Sequence, residues 1–172
     1  MDTSSPGPAT PGAVVLGYGP MDAVHAEFTE VVERATFCSD TDFLAQLDAI
    51  VAHLRRHFAE EDCWMRETGF PPSDCHQDEH AAVLKSAEEV LALGDASQRL
   101  AVGRSFVHEL AAWFPAHADY LDSALAAWMC KRAYGGKPVV VHRQRKSLPQ
   151  QDCLAHRVAM TGLSTSTRRI EE

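Results

Sequence analysis

Residues 41–68 read TDFLAQLDAIVAHLRRHFAEEDCWMRET, and this stretch decides the fold. Phe43, Leu47, Ile50, Leu54, Phe58 and Met65 fall at helical spacing, which predicts one long amphipathic helix starting after Ser39 or Asp40. Gly69 follows Thr68, where a residue free to turn left-handed stops a helix. A helix before it is expected from Pro20, suited to a first helical turn, to about Phe37, with Val24, Phe28, Val31 and Val32 as its buried stripe. A third follows Pro71-Pro72, with Ser73 as its N-cap, and ends before Gly94. The fourth opens near Ser97 and continues to about Arg132. Short connections between long amphipathic helices favour antiparallel neighbours, hence an all-α, up-down-up-down four-helix bundle. Pro115 interrupts the fourth helix: it lacks an N–H and crowds the carbonyl of Ala111, which predicts a kink or a wider turn.

The 172 residues suffice for one domain with flanking segments. Residues 1–18, rich in Pro, Gly, Ser and Thr, are expected to form a flexible arm, residues 19–134 the bundle, and residues 135–172 a flexible tail. Charge supports that division. Residues 1–130 carry a net −14 and residues 131–172 a net +6, within an overall −8. The acidic bundle argues against nucleic-acid binding, which needs a basic face. No run is long and apolar enough to span a membrane. Met1 to Pro6 contain no basic or apolar segment of the kind that directs export, so a cytoplasmic location is expected. The odd number of cysteines, 5, is then read as reduced thiols. The basic tail is the one segment suited to an unidentified protein partner.

Nine histidines are many for this length, and their placement matters more than their number. His57 and Glu61 are four apart on the second helix, as are His76 and His80 on the third. Each pair therefore projects from one helix face, one turn above the other. The first helix adds His25, and the fourth adds His117 and Asp122. All can point into a single bundle core. Glu61 shares the face carrying Leu54, His57, Phe58 and Met65, so it cannot be turned to solvent. Burying five imidazoles and two carboxylates without a cation would cost many kcal/mol, and a metal centre removes that cost.

At these residues the chain resembles the bacterial hemerythrins, non-haem di-iron proteins built on a four-helix bundle. The resemblance covers about residues 20–131. It rests on Met21-Asp22-Ala23-Val24-His25, on His57-Phe58-Ala59-Glu60-Glu61 with Met65, on Phe70-Pro71, on His76 with His80, and on Trp113, His117 and Asp122. The resemblance implies that His76, His80 and His117 bind one iron, and that His25 and His57 bind a second, which keeps an open position. It further implies that Glu61 and Asp122 bridge the two irons together with a solvent-derived oxo or hydroxo group. Reversible O2 binding, for storage, delivery or buffering, is the implied function, with no catalytic residue and no enzymatic activity. The alternatives are an O2 or redox sensor signalling through the tail, and a di-iron peroxidase or nitric-oxide-handling protein.

The residue types suit O2 carriage independently of the resemblance. Two ferrous ions with two carboxylates and a hydroxide retain a net charge of about +1, which disfavours the high-valent iron needed to cleave O2. No Glu-x-x-His or His-Glu-x-x-His motif is present. Some positions depart from the pattern. His117 and Asp122 are five apart, off one face of an ideal helix, so local overwinding or divergent side chains are expected, with Pro115 either the source of that distortion or no more than a curve in a long helix. Ala118 stands where relatives carry a bulkier apolar residue, which predicts a wetter site and faster autoxidation. Phe28, Leu54, Phe58, Trp113, Phe114 and Leu121 are candidates for its lining. His53, in line with His57, reads as a polar residue near the end of the ligand face, with a hydrogen-bonding role behind the ligands or a place in the site's lining as the alternative; His108, His142 and His156 have no partner spacing. A zinc site of Cys63, Cys75, His76 and His80 would leave the other ligands unexplained.

Overall fold

The computed structural model describes residues 14–135, all of whose regular elements are helical. Helix α1 spans Gly19–Phe37, α2 Asp40–Thr68, α3 Ser73–Leu91 and α4 Ala96–His117. A π turn, Ala118–Asp122, joins α4 to α5, Ser123–Tyr134, so the fourth rod of the bundle has three parts. Each of α1, α2 and α3 packs against α4, and α2 also packs against α1 and α3. Together with connections of two to four residues, these contacts give the expected antiparallel four-helix bundle. The expectations for residues 1–13 and 136–172, including the basic tail, fall outside the described residues.

The helix ends follow local chemistry. Gly69 adopts φ 64°, and its N–H bonds the carbonyl of Met65, which closes α2 as expected. Asp95 caps α4 by accepting from the Gln98 N–H at 2.7 Å. Ser73 does not cap α3: Pro72 occupies that position, and Ser73 Oγ turns to Asp74. At the same end of the bundle as Gly69 and Ser73, Asp22, in the first turn of α1, accepts from the N–H groups of Leu16 and Gly17. Residues 16–18, expected within the arm, therefore lie against the bundle, with Tyr18 edge-on to Trp64. Arg104 ties α4 to the α1–α2 connection. Its guanidinium donates to the carbonyls of Ala35 and Cys38 and to Asp40, and it stacks over Phe43 at 4.3 Å.

Two apolar clusters form the core. The larger contains Phe28, Leu47, Leu54, Phe58, Leu110 and Phe114; the smaller contains Tyr18, Met21, Met65, Phe70 and Leu125. Each fully buried large side chain of this kind contributes about 1.5–3 kcal/mol. The buried stripe of α1 is Met21, His25, Phe28, Val32 and Ala35. Val24 and Val31 sit at its edge, because His25 takes a central place that a purely apolar stripe would assign elsewhere. Along α1 the order is Met21, His25, Phe28; along α2 it is Phe58, Glu61, Met65; and along the fourth rod it is Ala118, Asp122, Leu125. A belt of polar residues is thus enclosed between two apolar layers.

Candidate metal centre

All seven residues picked out by spacing come together in this belt. His25, His57, Glu61, His76, His80, His117 and Asp122 are each at most 1% exposed. They form two overlapping groups whose ligand-capable atoms lie within 4.8 Å of one another: Glu61, His76, His80, His117 and Asp122 in one, and His25, His57 and Glu61 in the other.

The carboxylates connect the two groups through opposite oxygens. Glu61 Oε1 lies 3.1 Å from His57 Nε2 and 3.7 Å from His25 Nε2, while its Oε2 lies 3.4 Å from His76 Nε2 and 3.3 Å from His80 Nε2. Asp122 divides itself in the same way. Its Oδ2 is 3.2 Å from His25 Nε2, and its Oδ1 is 3.0 Å from His76 Nε2 and 3.2 Å from His117 Nε2.

The π turn is what brings Asp122 into line. The Ser123 N–H bonds the Ala118 carbonyl, an i→i+5 bond, so residues five apart fall one above another. The helix is locally widened here: a wider turn was expected in this rod, whereas the overwinding expected from the five-residue spacing is not what forms. Nor does the change begin at Pro115, since α4 continues through it to His117.

Close approach does not amount to hydrogen bonding. Within the cluster only His57 Nε2 and Glu61 Oε1 meet in hydrogen-bond geometry. The Nε2 atoms of His25, His76, His80 and His117, Glu61 Oε2 and both Asp122 oxygens are buried without a hydrogen-bond partner. Stranded polar atoms cost about 1–3 kcal/mol each. A cation satisfies all of them at once, and imidazole with carboxylate is a donor set suited to iron.

The protonation chemistry agrees. Burial pushes the Glu61 and Asp122 carboxyls upward, but the surrounding imidazoles outweigh it and hold both well below the usual range. Burial likewise opposes charge on His25 and His117, yet Asp122 and its neighbouring carboxylates raise both to about 9. In the protein without metal, protons therefore stand where metal charge would.

Aromatic rings pack around the belt. Phe114 stands edge-on to His25 at 5.0 Å and packs on Phe28 at 4.1 Å; Phe58 stacks on His80 at 4.0 Å, and Trp113 lies over His117 at 4.3 Å. Leu54 is buried in the larger apolar cluster, whereas Leu121 is partly exposed. His53 is buried, with its ring 5.5 Å from that of His57, and burial among His57 and Arg56 lowers it to about 4. Two acids were not singled out by spacing. Asp62 Oδ1 accepts from His80 Nδ1 at 3.0 Å, and Glu79 Oε2 from His117 Nδ1 at 2.9 Å. Their signal in the sequence is adjacency alone: Asp62 follows Glu61 and Glu79 precedes His80.

His108 is exposed beside Glu109, and His142 and His156 lie outside the described residues. Neither ligand group contains a cysteine, and Cys63 turns to Glu67, so the zinc alternative has no geometric basis here. Cys38, Cys63 and Cys130 are free thiols, but Cys75 is disulfide-bonded, which corrects the reading of all cysteines as reduced. No helix among the described residues is long and apolar enough to cross a membrane.

Comparison with known proteins points the same way. The family model described as the hemerythrin HHE cation binding domain matches residues 16–129. A bacteriohemerythrin of Ralstonia nicotianae is 41% identical over 123 residues, covering 70% of this chain and 87% of the relative. No solved structure matches at a comparable level of significance. An all-α four-helix bundle, a buried belt of five histidines and two carboxylates, and a matching family model over most of the chain together establish that this protein belongs to the hemerythrin family.

Proposed function

We propose that residues 19–134 bind O2 reversibly at a di-iron centre, for storage, delivery or buffering of oxygen. His76, His80 and His117 hold one iron and His25 and His57 the other, while Glu61 and Asp122 bridge them beside a solvent-derived oxo or hydroxo group. The observation that carries this reading is the division of each carboxylate, one oxygen toward each histidine group. When bound, the iron pair supplies the two electrons that O2 needs to be held without its bond being broken. The chain's own part is to fix the donors and to keep water away. Three imidazoles face one position and two face the other, so the second position is left with fewer protein donors. Phe28 and Phe114 pack on that two-histidine side and give it an apolar wall.

The test is anaerobic iron loading followed by optical titration with O2. Two irons per chain, and a charge-transfer band that appears with O2 and fades on its removal, are expected. A single iron per chain, or bleaching that deoxygenation does not reverse, would overturn the proposal.

A further inference from the structure

We infer that Asp62 and Glu79 are positioning residues that make the two metal positions unequal, so that the position framed by His76, His80 and His117 fills first. This rests on the two-metal reading above. Among the five buried imidazoles of the belt, His80 and His117 have their outer nitrogen, Nδ1, held by a carboxylate, at 3.0 and 2.9 Å. Both belong to the three-histidine group. The Nδ1 atoms of His25 and His57, the whole imidazole complement of the other group, are buried without a hydrogen bond, as is that of His76, so the two groups have two of three and none of two imidazoles held in this way.

Such a carboxylate does three things to a ligand. It keeps the proton on Nδ1, leaving the Nε2 lone pair for the metal; it fixes the plane of the ring; and it makes the imidazole a stronger donor. Aromatic packing reinforces the second effect on the same two rings. Phe58 lies parallel to His80 with an interplanar angle of 5°, and Trp113 covers His117 at 33°. The hydrogen bonds also cross between helices. Asp62 on α2 reaches His80 on α3, and Glu79 on α3 reaches His117 at the end of α4. Three of the four rods are thereby braced around one metal position. His25 is carried on α1, the rod outside this bracing. Both acids are partly shielded, with side chains 33% and 15% exposed, so their charge acts on the ligands with limited screening.

Full-length protein stripped of metal by a chelator, titrated with Co(II) and followed by visible absorption in competition with a chromophoric chelator, tests this. Wild type is expected to take up two Co(II) in separable steps. Asp62→Asn and Glu79→Gln should each weaken the first step about 10–100-fold and leave the second unchanged. Asp62→Glu and Glu79→Asp, which keep the carboxylate, should recover part of the loss. An insensitive first step, or equal weakening of both steps, overturns the inference. Wild type that binds fewer than two Co(II) overturns the two-metal reading itself, so the two failures are distinguishable. A measurement on Zn(II)-loaded wild type needs no variant. The Nδ1 protons of His80 and His117 should be the most downfield and slowest to exchange among the ligand imidazoles by NMR, and equivalence of all five would refute the proposal.

Discussion

Removing the metal should invert the pH dependence of stability, and the size of the effect follows from the belt. Without metal, His25 and His117 keep their protons up to about pH 9, because Asp122 and the nearby carboxylates outweigh burial. In the unfolded chain a histidine titrates near about 6.5. The folded state therefore holds these protons more tightly. Its advantage is complete below about pH 6.5 and is lost as the pH rises through about 9. Each displacement corresponds to about 3 kcal/mol. Because the two imidazoles share Asp122, their combined contribution lies at about 3–6 kcal/mol, a large part of the 5–15 kcal/mol typical of a domain. His76, raised in the same direction, adds to it.

Two effects oppose it at lower pH. Glu61 and Asp122, both depressed, stabilise the fold above the ordinary carboxyl range and lose that contribution as the pH falls. His53, buried neutral and lowered to about 4, stabilises above about pH 6.5 and ceases to as the pH drops through 4. The metal-free protein should thus be most stable near pH 6 and weaken steadily toward pH 9.5. Ligation requires deprotonated nitrogens, so the loaded protein should instead gain stability with rising pH over the same range. Urea unfolding followed by far-UV circular dichroism, with and without metal, measures both slopes. A metal-free midpoint that stays level or rises between pH 6.5 and 9.5 would refute the electrostatic argument.

Three further outcomes are expected. Pro115→Ala should leave metal content and O2 affinity unchanged, since the widened turn begins only at Ala118; loss of one metal per chain would show that the proline sets the turn. Gly103→Ala places a Cβ 2.8 Å from Phe43 Cε1 and 3.1 Å from Leu47 Cδ2, both fully buried. Overpacking of about 1–3 kcal/mol then exceeds the roughly 1 kcal/mol gained in helix propensity, and the urea midpoint should fall. The small side chain of Ala118, fully buried next to His117, should give rapid autoxidation in air, and Ala118→Val should slow it when the decay of the O2 adduct is followed optically.

The ligands were legible because helical geometry turns spacing into position. His57 with Glu61 and His76 with His80 announce a shared face wherever their helices pack, and the core stripe of α2 says that this face is inward. The five-residue step from His117 to Asp122 announced a break in the helix, but not its sense, because periodicity records only that one residue is out of phase. Asp62 and Glu79 were hidden for a different reason. Each lies a hundred degrees of helix away from its ligand neighbour, on what an isolated helix presents to water. Only the adjacent rod converts that flank into a hydrogen-bonding surface. The burial of His53 was hidden likewise: the end of the ligand face is covered by α1 through Phe28.

The π turn also amounts to one inserted residue, and that bears on how the fourth rod tolerates change in length. Ahead of it the inward positions are Leu110, Trp113, Phe114 and His117; beyond it they are Asp122, Leu125 and Ala126, in a register displaced by one residue. Deleting the outward-facing Tyr120 would restore unbroken α-helix and place a carboxylate four residues after His117, a spacing already used by His57 and Glu61. The shortened rod would be expected to keep both inward sets in phase, because a widened turn takes up its extra residue mainly in girth rather than in length. The extra residue is therefore accommodated rather than passed along the rod: the widened turn absorbs it, and Asp122 still stands between both histidine groups.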